Sequence, residues 1–302
     1  MTAQVRIAVP RKGRPLEAVL DRFADVSGRE ALASDVVSTL RYEKAIAKGE
    51  RTDERDVYER LAAESSLEDP RAPEYTLLRD DREGKPQRIV FDAVTVDVDG
   101  VAVELVGREE PFRALRTHSF ALGFDSADLV LEEVVSLEPD PLSDIAELND
   151  RIDPQDTDVR VVTGLGDTVG HTLLATPETI ERGPAEDLGR SFLRSYEGPI
   201  VISPRYERLV QAVLGTQTTR TLDFEYPDPG REEEAAIAEV GVGVYLTMTG
   251  RTAREHGLRV GETLFPSETV LLENVHETGE APIETVRDAI AIEGDRKSLP
   301  IA

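Results

Sequence analysis

The chain alternates between short apolar runs and amphipathic segments, and it does so in two blocks. In the first block, residues 5–9 (VRIAV) form an apolar run, and Pro15 begins a segment with apolar side chains at helical spacing. In the second block, residues 158–266, strand-like and helix-like patterns alternate as they do in α/β proteins. The acidic stretch at residues 138–141 (EPDP) separates the blocks. The pattern predicts two α/β lobes, and 302 residues suffice for two cores.

We assign residues 1–135 and 267–302 to the first lobe and residues 158–266 to the second. The chain is expected to cross from the first lobe to the second within residues 136–157. Residues 27–85 are highly charged and only weakly helical in pattern, and we interpret them as a peripheral helical insertion in the first lobe. Polar and apolar residues then alternate from residue 94, and Asp99-Gly100 fits a tight turn. This predicts an antiparallel hairpin.

The balance of charge narrows the classes of partner. The formal net charge is −25, from 60 Asp and Glu against 35 Lys and Arg, and only five of the basic residues are lysine. This much negative charge disfavours nucleic-acid and anionic-lipid partners. A surface that is rich in acids and poor in lysine is typical of a high-salt cytoplasm, because salt screens the self-repulsion.

Other residue types exclude further classes of protein. Without cysteine the chain has neither a thiolate nucleophile nor Cys-ligated zinc. No apolar run reaches membrane-spanning length and the start lacks a signal-peptide pattern, so we expect a cytoplasmic protein. The four histidines show no paired spacing for a metal site, and we expect surface or capping roles for them.

Two loops carry residues suited to phosphate. Arg11-Lys12-Gly13-Arg14 places three cations directly after the first apolar run, and such a cluster can bind phosphate or pyrophosphate oxygens. Thr247-Met248-Thr249-Gly250-Arg251-Thr252 is a glycine-bearing turn into a helical pattern, which can direct backbone N–H groups at a phosphate. A solvated loop and ordinary helix capping would show the same patterns, so each loop alone leaves two interpretations open.

The order of the motifs resembles that of the ATP phosphoribosyltransferases, which catalyse the first step of histidine biosynthesis. Residues 7–14 (IAVPRKGR) are similar to the family's opening strand, proline and Lys-Gly-Arg loop. Residues 109–111 (EEP) stand where the family has an acidic residue shortly before proline, and residues 121–126 (ALGFDS) follow in the same order. The strongest match is residues 249–252 (TGRT), which resemble the family's phosphoribosyl loop.

The resemblance implies a two-lobed α/β fold like that of the periplasmic binding proteins, with a central cleft between the lobes. It implies transfer of a phosphoribosyl group from phosphoribosyl pyrophosphate (PRPP) to ATP, with Mg²⁺ accompanying the pyrophosphate and no protein ligand assigned to the metal. The resemblance also implies which residues bind the sugar 5′-phosphate: Thr247, Thr249, Gly250, Arg251 and Thr252.

The same resemblance implies catalytic roles for three cations. Lys12 and Arg14 would face pyrophosphate or triphosphate oxygens across the cleft. Arg108 would replace an arginine that the family carries two positions earlier, at Val106. Catalysis would then consist mainly of positioning and charge stabilisation, so no general base is assigned.

Two positions depart from the family's pattern. Tyr245 stands where the family has an aspartate, and Met248 stands where it has a polar residue. A phenol cannot replace a charged acceptor for ribose hydroxyls, and each such bond contributes about 1.5 to 3 kcal/mol. Two alternatives therefore stay open: a catalytically silent two-lobed binding or regulatory protein that senses a phosphorylated metabolite, and a transferase that uses another nucleobase or small acceptor in place of ATP. Whether the chain forms homo-oligomers is open as well.

Overall fold

The computed structural model describes residues 4–66, 68–79, 87–184, 187–228 and 230–297, with side chains described as far as residue 291. The chain divides into two compact units. The first consists of Met1–Asp125, Asp158–Asp167 and Thr269–Ala302, and the second of Ser126–Thr157 and Thr168–Glu268. No helix in the described part of the chain combines the length and apolar composition needed to cross a bilayer.

The strands of the described residues are, in chain order, β1 (Gln4–Pro10), β2 (Glu74–Leu78), β3 (Arg88–Val98), β4 (Val101–Arg108), β5 (Leu122–Ser126), β6 (Val159–Gly164), β7 (Val169–Ala175), β8 (Gly198–Val201), β9 (Leu222–Glu225), β10 (Val242–Thr247), β11 (Arg259–Ser267) and β12 (Thr269–Asn274). The α-helices are α1 (Gly13–Ser27), α2 (Glu30–Ala47), α3 (Val57–Glu64), α4 (Pro111–Arg116), α5 (Ala127–Val134), α6 (Pro177–Arg182), α7 (Arg190–Ser195), α8 (Glu207–Leu214), α9 (Thr216–Thr219), α10 (Glu233–Val240), α11 (Arg251–Glu255) and α12 (Ala281–Lys297). Short 3-10 helices span Ile145–Glu147, Asn149–Arg151 and Pro204–Tyr206.

The first unit contains a sheet in the order β2-β3-β4-β1-β5-β12-β6. β1 is parallel to both β4 and β5, whereas β2, β3 and β4 form an antiparallel meander. The predicted apolar face of α1 is confirmed, because its side chains are buried in the core of this unit: Leu16, Val19, Leu20 and Phe23. Phe23 meets Phe124 of β5 edge to face, with ring centroids 5.9 Å apart.

The predicted hairpin is also confirmed. β3 and β4 pair antiparallel, with Val98 opposite Val101. Asp99 and Gly100 have positive φ angles of 50° and 79°. This is the backbone that a two-residue hairpin turn requires, and Asp-Gly is one of the pairs that adopt it readily.

The expectation of a peripheral helical insertion at residues 27–85 is corrected in two respects. α2 is part of the core, because its buried face packs against α1 and β3 with Ala33, Val36 and Leu40. β2 adds a strand to the sheet, so the segment is not wholly helical. The many charged residues on the outer face of α2 make its apolar periodicity hard to recognise in the sequence. Residues 67 and 80–85 of this segment lie outside the described residues.

The crossing between the units differs from the expected one. The chain leaves the first unit after Asp125, ahead of the acidic stretch that we assigned to the crossing. Asp158–Asp167, which we placed in the second lobe, belongs to the first unit, because β6 pairs antiparallel with β12. A strand pattern does not show which strand it pairs with, and β12 lies about a hundred residues from β6 in the sequence.

The second unit contains a sheet in the order β11-β7-β10-β8-β9. β10 is antiparallel to β7 and parallel to β8. Ile237 of α10 and Val201 of β8 belong to one buried cluster beside this sheet. The predicted alternation of strands and helices in the second block is confirmed, for example by α8 and β10.

A buried ion pair joins α2 and α3. Arg60 Nε donates to Glu43 Oε1 at 2.8 Å and Arg60 Nη2 donates to Glu43 Oε2 at 3.1 Å. The two side chains are only 8% and 3% exposed. We expect Arg60→Met to lower the free energy of unfolding by about 3 kcal/mol, because it leaves the Glu43 carboxylate buried without its partner.

Denaturant unfolding at constant high salt measures this effect. Arg51→Met is the matched control, because Arg51 is exposed and lies over the ring of Tyr42, and it should change stability by no more than about 0.5 kcal/mol. If Arg60→Met and Arg51→Met were equally stable, the prediction would be wrong, and water would have to reach the Glu43 carboxylate.

Candidate active site

The three cations singled out in the sequence lie at one edge of the first sheet. Lys12 and Arg14 directly follow β1, and Arg108 is the last residue of β4. The two strands are parallel, with Pro10 in register with Arg108. Ligands of α/β sheets usually bind at the carboxyl ends of parallel strands. The structure therefore brings Lys12, Arg14 and Arg108 to an edge suited to binding.

Lys12 and Arg14 are held by different carboxylates. Lys12 Nζ lies 3.3 Å from Glu109 Oε2, and both side chains are more than a third exposed. Arg14 Nη1 donates to Asp167 Oδ2 at 2.6 Å and to the Asp167 carbonyl. Asp167 also accepts from the backbone N–H and the hydroxyl of Thr269, at 2.7 and 2.8 Å. Arg14 is thus anchored at the start of β12, and Asp167 is a partner that the sequence did not reveal.

The third cation of this loop, Arg11, belongs to the scaffold. Its Nε donates to the Gly107 carbonyl at 3.1 Å and its Nη2 contacts Asp92 Oδ1 at 3.3 Å. Its own carbonyl accepts from the N–H of Phe91 at 3.1 Å. Arg11 therefore ties the loop to β3 and β4, which leaves Lys12 and Arg14 as the cations available to a ligand.

The guanidinium of Arg108 lies against an aromatic ring. It lies over the ring of Phe120, 5.1 Å from the centroid. Within the described residues no carboxylate forms an ion pair with it. An aromatic face orients a guanidinium without neutralising it. The charge of Arg108 is therefore free to meet an anion.

The second predicted loop joins β10 to α11 in the second unit. Met248 is 79% exposed, and Thr249 is exposed as well. Gly250 has a φ of 64°, and a Cβ there would lie 2.7 Å from Val260 Cγ2. Arg254 Nη1 donates to the Thr249 carbonyl at 2.8 Å, which fixes the turn. Only glycine fits this turn without strain.

The five predicted residues of this loop are not equivalent. The hydroxyl of Thr247 donates to Thr172 Oγ1 at 2.7 Å, across the pairing of β10 with β7. Thr249, Arg251 and Thr252 are exposed, and Arg251 is bonded to Glu255. α11 is only five residues long, so its dipole adds little. The available donors are the loop N–H groups and the hydroxyls of Thr249 and Thr252.

Tyr245 lies on β10, two residues before the loop, and packs beside the cluster of the second unit. Burial, together with the neighbouring carboxylates of Glu233 and Glu234 on α10, raises the pKa of Tyr245 to about 12. The phenol is therefore protonated at any physiological pH. It can donate a hydrogen bond to a ribose oxygen, but it does not offer the charged acceptor of an aspartate.

The raised pKa of Tyr245 leads to a prediction about alkaline pH. A pKa higher in the folded than in the unfolded chain contributes stability that is complete below pH 10 and is lost as the pH rises towards 12. We expect the wild type to lose more stability than Tyr245→Phe over this range. Thermal unfolding of both at pH 9 and pH 11 measures the difference, and parallel losses would contradict it.

One histidine is placed differently from our expectation. His171 is buried, and its Nε2 lies 2.9 Å from Asp128 Oδ1. The ring of Tyr206 stands edge-on to His171 at 5.2 Å. The prediction of a surface or capping role is wrong for His171, because β7 runs through the core of the second unit. Among the described residues there is no group of three His, Asp or Glu side chains that could hold a metal ion.

A protein-family model described as halobacterial ATP phosphoribosyltransferase matches residues 1–300. No curated protein sequence matches the chain significantly. Among solved structures, the ATP phosphoribosyl transferase (HisG:HisZ) complex from Thermotoga maritima is similar at 13% identity and a TM-score of 0.45, over 98% of this chain and 100% of that one. YhfZ from Shigella flexneri is similar at 11% identity and a TM-score of 0.41, over 97% and 89% of the chains.

A third similar structure is the periplasmic VFT2 domain of BvgS from Bordetella pertussis, at 14% identity and a TM-score of 0.33 over 66% and 74% of the chains. These structural likenesses are distant and carry no argument about function. The family match spans almost the whole sequence and includes both candidate loops. The chain therefore belongs to the halobacterial ATP phosphoribosyltransferase family.

Proposed function

We propose that this chain itself catalyses phosphoribosyl transfer from PRPP to ATP, although Tyr245 and Met248 depart from the usual pattern. The observation that carries the proposal is the set of three cations at the carboxyl edge of β1 and β4, in a chain whose net charge is −25. Such an acidic surface repels anionic substrates unless positive charge is concentrated where they bind. Lys12, Arg14 and Arg108 supply that charge.

The first unit contributes charge stabilisation. As a nitrogen of the adenine base bonds to the anomeric carbon of PRPP, the bond from that carbon to pyrophosphate breaks, and negative charge grows on the departing oxygens. Lys12 and Arg14 are fixed by Glu109 and Asp167, so they meet this charge with little reorganisation. Arg108 adds a third positive group on its Phe120 platform.

The second unit contributes binding of the sugar phosphate. The hydroxyls of Thr249 and Thr252 and the N–H groups of Gly250 and Arg251 are the donors for the 5′-phosphate oxygens. Thr247 supports them from the sheet by its bond to Thr172. The tight turn at Gly250 brings these groups together without a side chain in the way.

Magnesium fits this assignment as a companion of the pyrophosphate. Mg²⁺ keeps several waters and commonly needs only one or two protein carboxylates in addition to substrate phosphates. Among the described residues no group of three His, Asp or Glu side chains could hold the ion, so substrate phosphates and water would supply most of its ligands. The ion would partly neutralise the pyrophosphate charge. We further propose a high-salt cytoplasm as the setting, because such salt screens the net charge.

Titration calorimetry in high salt tests the proposal, first with PRPP and Mg²⁺ and then with ATP. We expect PRPP to bind, and ATP to trigger release of pyrophosphate. The departures at Tyr245 and Met248 favour one rival, a silent protein that senses a phosphorylated metabolite. Binding of PRPP without release on addition of ATP would favour that rival. No binding at all would remove the loop assignment.

A further inference from the structure

A second cationic site adjoins the Lys12–Arg14 loop. A cavity of about 480 Å³ lies between the start of α1, the end of α2 and the start of β3, all within the first unit. This volume is in the range of small-molecule sites. Five cations line the cavity: Arg14, Arg41, Lys44, Lys48 and Arg88. Only two carboxylates line it, those of Glu17 and Glu50.

This concentration of positive charge is unusual for the molecule. The chain contains only five lysines, and two of them line this one cavity. The surrounding protein is strongly acidic, so chance placement would favour carboxylates. A cavity with a net positive lining in such a chain is suited to an anion.

Two of the cations, Lys44 and Arg88, form no ion pair among the described residues. Arg41 is paired with Glu17 at 2.7 Å, and Lys48 lies 3.7 Å from Glu50. Lys44 forms no ion pair, and the Nε of Arg88 is buried without a hydrogen-bond acceptor. A buried donor without an acceptor is costly and is uncommon unless a ligand or water satisfies it.

The backbone adds donors at the same wall. α1 begins at Gly13, which lines the cavity, and it continues for 15 residues. Its N-cap residue, Lys12, makes no side-chain capping bond. The first N–H groups of a helix lack intrahelical partners and carry a partial positive charge, which favours an anion there.

We propose that this cavity binds the polyphosphate chain of the nucleotide substrate. Lys44 and Arg88 provide the free charges, Arg14 links the cavity to the reaction site, and the start of α1 provides backbone donors. The inference rests on the proposed transferase function and adds a role for α2, which the family resemblance does not cover. α2 would then serve both the core and the binding of the nucleotide.

Inorganic tripolyphosphate is the probe, because its binding requires no chemistry. We expect calorimetry at fixed KCl to show a dissociation constant about tenfold higher for Lys44→Glu and for Arg88→Met than for the wild type, as loss of one charge-assisted contact implies. Arg71→Glu is the matched control, because Arg71 is exposed in the same unit, does not line the cavity, and changes the net charge as Lys44→Glu does.

The outcomes separate this inference from the proposed function. Lys44 is exposed, so Lys44→Glu should fold, and its thermal midpoint checks this. If Lys44→Glu binds tripolyphosphate as the wild type does, or the wild type does not bind it, the inference fails even when pyrophosphate is released normally. If the variants lose binding of tripolyphosphate while neither they nor the wild type release pyrophosphate, the cavity is a polyphosphate site and the transferase proposal fails. With both correct, Lys44→Glu raises the KM for ATP and leaves PRPP affinity unchanged.

Discussion

Replacing Lys12 by methionine is expected to lower kcat/KM for pyrophosphate release by about 10²- to 10³-fold, because the variant lacks a fixed cation where charge develops on the leaving group. Methionine keeps most of the apolar stem, and Lys12 is more than a third exposed, so the fold should be unaffected. Steady-state assays at fixed high salt, with PRPP and ATP varied in turn, measure the change.

Arg29→Met is the control for Lys12→Met. Arg29 lies just beyond the other end of α1, and its side chain donates to the Arg71 carbonyl at 3.2 Å, away from the candidate site, so the variant should have wild-type kinetics. If Lys12→Met also retained wild-type kcat/KM, the assignment of the first-unit edge as the catalytic site would be untenable.

Gly250→Asp is expected to weaken PRPP binding by about 100-fold or more. A Cβ at Gly250 would lie 2.7 Å from Val260 Cγ2, so the loop must move, and the added carboxylate would repel the 5′-phosphate. Calorimetric titration with PRPP and Mg²⁺ measures the loss. Thr249→Val, which removes one hydroxyl without a change of backbone, should weaken binding by about tenfold.

Gly257→Asp provides a matched control for Gly250→Asp. Gly257 has a similar φ of 75°, lies just beyond α11, and would place its Cβ in open space. It carries the same backbone strain and the same new charge, but outside the proposed phosphate site. Unchanged PRPP affinity in both Gly250→Asp and Thr249→Val would disprove the loop assignment.

Local signals predicted those parts of the fold that local chemistry determines. The spacing of Leu16, Val19, Leu20 and Phe23 predicts the buried face of α1, because side chains three and four residues apart share one side of a helix. Asp99-Gly100 predicts the hairpin because few other pairs tolerate two positive φ angles. Neither prediction needed a distant residue.

Parts of the fold that depend on distant partners could not be predicted in this way. β6 belongs to the first unit only because it pairs with β12, and α2 belongs to the core only because β3 lies beneath it. His171 is buried with Asp128, which is 43 positions earlier in the sequence. Neither periodicity nor composition encodes such pairings.

The candidate site shows the same division. The motif order singled out Lys12, Arg14 and Arg108, and the structure places all three at one strand edge. The residues that hold these cations could not be predicted from the sequence. Asp167, which holds Arg14, is 153 positions away, and Phe120, whose ring lies under Arg108, is not part of any motif. The cationic cavity was missed because its residues come from α1, α2 and β3, and only α1 belonged to a recognised motif.

Tyr245 shows how a changed residue can alter one step and leave others intact. Its phenol stays protonated beside Glu233 and Glu234, so it does not replace a carboxylate that binds ribose hydroxyls. Phosphate binding at Thr249 and charge stabilisation at Lys12 do not depend on it. We therefore expect a lower affinity for PRPP than an aspartate would give, and turnover nonetheless.

The measurement that tests this account most directly is an incubation of the purified chain with PRPP, Mg²⁺ and ATP in high salt. Released pyrophosphate is assayed, and the nucleotide product is identified by mass spectrometry. The account predicts equal amounts of pyrophosphate and phosphoribosyl-ATP, with neither formed when ATP is omitted and with both formed about 10²- to 10³-fold more slowly by Lys12→Met at low substrate concentration. Tight binding of PRPP with no phosphoribosyl-ATP formed by the wild type would contradict it.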